Sequence, residues 1–148
     1  MKPYKLICSF FLATLLLGCS QNEPLDSPPE DPLNGAWSMV NSVIGGFGGT
    51  TDRDYEIGDN TWIFDAENGT ITIESPDPMN CTLGLCNSTF DYVVIEEEGA
   101  LKLGRAFYDE EGNLSGSLYI GDITTLTETE LVVERTPSVY ITRWTFAR

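Results

Sequence analysis

From residue 36 onward, apolar and polar positions alternate in short runs divided by turn-forming residues. Residues 36–44, 62–64, 70–73, 90–96, 101–103, 105–108, 117–120, 131–135 and 139–146 read as strands, and no segment here carries helical periodicity. The separators carry their own chemistry. Asn68-Gly69 supplies the positive φ of a tight hairpin, Glu98-Gly99 and Gly112-Asn113 end acidic turns, and Pro137 sits in the last one. Gly45, Gly46, Gly48 and Gly49 predict a mobile loop at 45–51, and 52–60 reads as an acidic turn. No helix follows the glycines, which argues against a phosphate-cradling loop. About nine strands at hairpin spacing predict an all-β fold, an antiparallel up-and-down β-barrel of about 8–9 strands, because closure removes exposed edges. A sandwich is the alternative.

The first 34 residues follow a different pattern. Lys2 and Lys5 precede an apolar run from Ile7 to Leu17, the length of a signal-peptide core and too short to span a bilayer. Leu16-Leu17-Gly18-Cys19 resembles the lipobox of bacterial lipoproteins, in which cleavage before the cysteine exposes it for acylation. The resemblance implies a signal peptide over 1–18, lipid attachment at Cys19, and a lipid anchor in the bacterial cell envelope, at the periplasmic or surface face of the outer membrane. Acyl chains contribute about 0.8 kcal/mol per buried CH₂. Residues 19–34, rich in proline and acid, read as a tether reaching up to roughly 45 Å. Glu23 and Asp26 resemble the acidic surface-export signal of some lipoproteins. The third segment, 35–148, is the folded domain.

Charge and composition narrow the function. The formal charge is −15, and loss of residues 1–18 removes two lysines and no acids, giving −17. Such a chain repels nucleic acid. It has no histidine, which excludes Ser-His-Asp and Cys-His catalysis and histidine metal sites. With Cys8 in the signal and Cys19 acylated, Cys81 and Cys86 remain, and an oxidising envelope favours a disulfide between them, contributing about 2 kcal/mol through loop closure.

Gly35-Ala36-Trp37 at the first strand resembles the Gly-x-Trp of the lipocalin superfamily. The resemblance implies a lipocalin-like barrel whose closed end is plugged by Trp37, with an arginine from near the last strand over the indole. Arg143 is the first candidate for that arginine and Arg148 the second. Residues 123–133 resemble the penultimate strand of lipocalin-like lipoprotein domains. Asn60-Thr61-Trp62-Ile63-Phe64-Asp65 with Cys86-Asn87 also resembles the META domain of heat-shock lipoproteins, from which Leu85 departs by replacing a glycine.

The leading expectation is a non-catalytic module that binds a small apolar ligand inside the barrel, through Phe47, Trp62, Phe64, Tyr92 and Tyr119, with 45–51 as its lid. The alternative is a structural or protein-interaction module whose barrel core is filled. A hydrolase working through paired carboxylates ranks third, so no catalytic residue and no cofactor is assigned. Alternating carboxylates at Asp52, Asp54 and Glu56 suit a Ca²⁺ loop in residue type, but Ile57 occupies its required glycine position, so no metal site is assigned.

Overall fold

The computed structural model describes residues 31–77, 84–137 and 139–148. From Asp31 on they form one folded unit. Its nine strands are β1 (Gly35–Gly46), β2 (Gly49–Asp54), β3 (Thr61–Asp65), β4 (Thr70–Glu74), β5 (Ser88–Glu97), β6 (Ala100–Tyr108), β7 (Leu114–Leu126), β8 (Glu130–Arg135) and β9 (Ile141–Ala147). They form one antiparallel sheet in the order β2-β1-β3-β4-β5-β6-β7-β8-β9, and β9 also pairs with β1. Hydrogen bonding therefore runs in a ring through β1 and β3–β9. Along the same side of β1, β3 pairs with residues 35–38 and β2 with 41–46. The all-β antiparallel reading holds.

Local chemistry sets each hairpin. At the β3–β4 turn Gly69 has a φ of 66°, and the Asp65 carboxylate accepts from Asn68 Nδ2 at 2.7 Å and Asn68 N–H at 3.0 Å. Those bonds, the side-chain one first, hold the Asp65 carboxyl below its ordinary range. The β5–β6 hairpin turns on Glu98 and Gly99, both with positive φ, as a two-residue hairpin loop requires.

The structure departs from the sequence reading at the glycines. Residues 45–51 are not a mobile loop: β1 runs through Gly46, and a two-residue turn at Phe47 and Gly48 leads into β2. The acidic stretch after it is strand as far as Asp54, because Asn41 Nδ2 donates to both Asp52 Oδ1 at 2.7 Å and Asp54 Oδ1 at 2.9 Å. Side chains spaced two apart along a strand do not wrap a cation as a Ca²⁺ loop does. Gly104 does not break a strand either. It lets β6 run on beside β7, where a Cβ would stand 3.3 Å from Ser117 Cβ. The domain also starts earlier than expected, since Leu33, assigned to the tether, is buried in the core.

Buried residues face buried residues around the ring. Trp37 pairs with Trp62 and Trp62 with Ile73; Phe64 pairs with Ile71 and Ile71 with Phe90; Leu131 with Phe146 and Phe146 with Met39. All of them belong to one apolar cluster, which period-2 alternation places on a single face of the sheet. Followed from Ser38 through Thr61 and Glu74 and on around the ring, the register returns to β1 displaced by about 13–15 residues, according to the side of the bulges that is followed. The β1–β2, β4–β5, β6–β7 and β8–β9 connections lie at one end, and Gly35 and Arg148 at the other.

Candidate functional site

Three places on this frame merit attention: the interior, the end bearing Trp37, and a hollow outside β5–β7.

The interior is packed with aromatic side chains. Trp62 has no exposed surface, and its ring centroid lies 4.8 Å from Phe146, 5.9 Å from Trp144 and 6.4 Å from Phe64. Phe64 meets Tyr92 edge-on at 5.3 Å. Burial first, then Asp31 and Asp65, pushes the Tyr92 hydroxyl up. Of the five residues expected to line a ligand cavity, the structure brings Trp62, Phe64 and Tyr92 together as core. Phe47 stands 88% exposed at the tip of the β1–β2 turn, and Tyr119 lies outside the core.

Trp37 closes one end of the cluster. Its Nε1 donates to the Leu33 carbonyl at 2.8 Å, and Arg148 lies over the indole at 3.8 Å from its centroid. Arg148 Nη2 also donates to the Pro32 carbonyl at 2.7 Å. The first candidate for this role, Arg143, is a correction: it points away from the core and pairs with Glu134 at 2.8 Å. Strand parity explains the exchange. Trp144 and Phe146 face the core, so Arg143 cannot, whereas Arg148 continues their row. Truncating Arg148 to alanine should uncover the indole and cost about 1–2 kcal/mol. Arg143→Ala should cost under about 0.5 kcal/mol, as exposed ion pairs do. Paired urea titrations read both.

The hollow holds about 360 Å³ and is lined by Ile95, Glu97, Lys102, Leu103, Gly104, Ser117, Tyr119 and Asp122. Ile95 pairs with Lys102, Lys102 with Asp122, and Gly104 with Tyr119, all out of phase with core-facing Leu103. The hollow is therefore on the outer face, with Gly104 as floor. Lys102 Nζ donates to Glu97, which raises the lysine and lowers the glutamate. Asp122 Oδ1 is shielded from solvent and accepts no hydrogen bond among the described residues. Burial first, then hydrogen bonding to Asp122, pushes the Tyr119 hydroxyl up to about 12. A folded-state value above the unfolded one means the folded chain holds this proton longer. The stabilisation is complete below about pH 10 and is lost as pH rises toward 12. Near-ultraviolet titration should show one tyrosine ionising last, and Tyr119→Phe should remove that late step.

Sequence reasoning gave no sign of this hollow, because it needs the strand registers. Cys86, half-buried before β5, is disulfide-bonded, while Cys81, Cys19 and residues 1–18 lie outside the described residues. Among the described residues, no group of three or more Cys, Asp or Glu side chains is placed to hold a metal ion. No family model matches the chain, and neither a curated protein nor a solved structure does.

Proposed function

We propose that the chain is a lipid-anchored envelope lipoprotein carrying a non-catalytic, lipocalin-like β-barrel with a filled core, which meets its partners on its outer surface. The observation that carries this reading is the packed interior: Trp37, Trp62, Phe64 and Phe146 are each at most 1% exposed. An eight-strand barrel either fills with side chains or holds one small ligand, and these side chains favour filling. The eight-strand ring and the arginine over Trp37 support the barrel and the lipocalin likeness. The lipobox-like Cys19 supports the anchor and the outer-membrane location, and the bonded state of Cys86 supports its pairing with Cys81.

A small apolar ligand has one observation in its favour, the outer hollow. Its volume of about 360 Å³ exceeds the roughly 300 Å³ at which ligand pockets begin. Ile95 and the Tyr119 ring form its apolar wall.

The test expresses the full chain in a Gram-negative host. The chain should partition with membranes and carry acyl mass at its N-terminus, and Cys19→Ser should release it into the aqueous fraction. Native mass spectrometry of the detergent-extracted chain should show no retained small molecule. A retained apolar molecule, lost on Tyr119→Ala, would transfer the function to the hollow. A water-soluble chain with a free thiol at Cys19 would overturn the anchor.

A further inference from the structure

We propose that the outer edge of β7 joins two copies of this chain, strand to strand, about a two-fold axis at Gly116. β7 pairs with β6 from Leu114 to Ile123, but β8 covers only its residues 122–126. Residues 114–121 therefore have a strand neighbour on one side only, among the described residues. Free edges in stable proteins are usually guarded by charge or proline. The other long free stretches are guarded: β2 by Asp52, Arg53 and Asp54, and β5, beyond its pairing with β4, by Glu96 and Glu97. Residues 114–121 read Leu-Ser-Gly-Ser-Leu-Tyr-Ile-Gly and carry neither charge nor proline. Leu114 and Leu118 are 47% and 57% exposed, and on β6 Tyr108, across from Leu114, and Phe107, across from Gly116, are half-exposed too.

The occupant follows from the sequence of the edge. Leu114-Ser115-Gly116-Ser117-Leu118 reads the same in both directions. Two antiparallel copies centred on Gly116 place leucine opposite leucine, serine opposite serine, and glycine on the axis. That is the self-complementarity a two-fold interface requires. Nothing stands within 4 Å of a Cβ built on Gly116, so the axis is open. The register also brings the acidic turn of one copy, Asp109–Gly112, toward Arg135 of the other. Arg135 follows the last β8 residue paired to this edge, and its Nε is without a hydrogen-bond partner among the described residues. That contact opposes the mutual repulsion of two chains of formal charge −15. The inference is independent of the lipid anchor and of any ligand.

Two measurements on the full chain test it. Gly116→Cys should form a covalent dimer on a non-reducing gel, several-fold more than Thr50→Cys on the guarded β2 edge, and lose it on reduction. In the Gly116→Cys background, L114K/L118K sets lysine opposite lysine and should abolish the cross-link. L114E/L118K sets glutamate opposite lysine at the same positions and should restore it. Thermal transitions of both double variants report that they fold. Cross-linking no greater than at Thr50, or equal cross-linking in the two double variants, would overturn the proposal and leave the edge to a strand from another protein.

Discussion

Replacing Trp62 with alanine is expected to remove about 3–5 kcal/mol of stability and to lower the melting temperature by roughly 12–20 °C. The size of the effect follows from where the indole sits. It is wholly buried, pairs across β1 with Trp37 and across β4 with Ile73, and meets three further aromatic rings. Truncation removes both the transfer free energy of the side chain and the contacts of the atoms lining the space it leaves. Those neighbours stand on closed ladders on both sides, so they cannot collapse inward. Trp62→Phe, which keeps a ring in place, should cost well under half as much. The variant also probes the filled core. Trp62→Ala opens an apolar cavity that should take up benzene, seen as a rise in melting temperature, whereas the parent chain should show none. A parent stabilised by benzene would mean that space for a ligand exists inside the ring already.

The residues that made this core legible in the sequence are those whose role is local. Asn68-Gly69 announces its turn, and Trp62-x-Phe64 and Ile71-x-Ile73 announce their buried face, because period-2 alternation is written into consecutive residues. Closure of β1 on β9 joins Ser38 to Ala147, and only an argument about edges could anticipate it. Gly104 and the glycines of 45–49 misled for the opposite reason. Glycine is read as a break when it stands alone in a sequence, yet in a strand it also serves where another chain segment passes close. The exchange of Arg143 for Arg148 was within reach, since parity with Trp144 and Phe146 decides it. The hollow beside Tyr119 was not, since three strands and their registers create it.

Gly121→Ala should be the most damaging single-methyl addition among the described glycines, costing about 2–3 kcal/mol. A Cβ there would stand 2.7 Å from Val133 Cγ1 and 2.9 Å from the Glu134 carbonyl oxygen. The second atom is decisive. A side chain can rotate away, but the Glu134 carbonyl belongs to β8, which is held by β7 on one side and β9 on the other. Relief requires β7 and β8 to separate where Asp122 pairs with Glu134, at the beginning of the ladder that carries Leu131 and Val133 into the core. The comparison is with Gly46 and Gly48. At Gly46 the Cβ would run into the Tyr140 ring, a closer approach on paper, but Tyr140 is half-exposed and free to swing outward, so Gly46→Ala should cost under about 1 kcal/mol. Gly48 has nothing within 4 Å and no positive φ, so Gly48→Ala should be neutral or slightly stabilising, by up to roughly 0.5 kcal/mol, through the unfolded chain. Urea denaturation of the three variants should rank them Gly121, Gly46, Gly48. A Gly121→Ala chain as stable as the Gly48→Ala chain would mean that β8 gives way freely, and that the ladder between β7 and β8 is not held rigidly at this point.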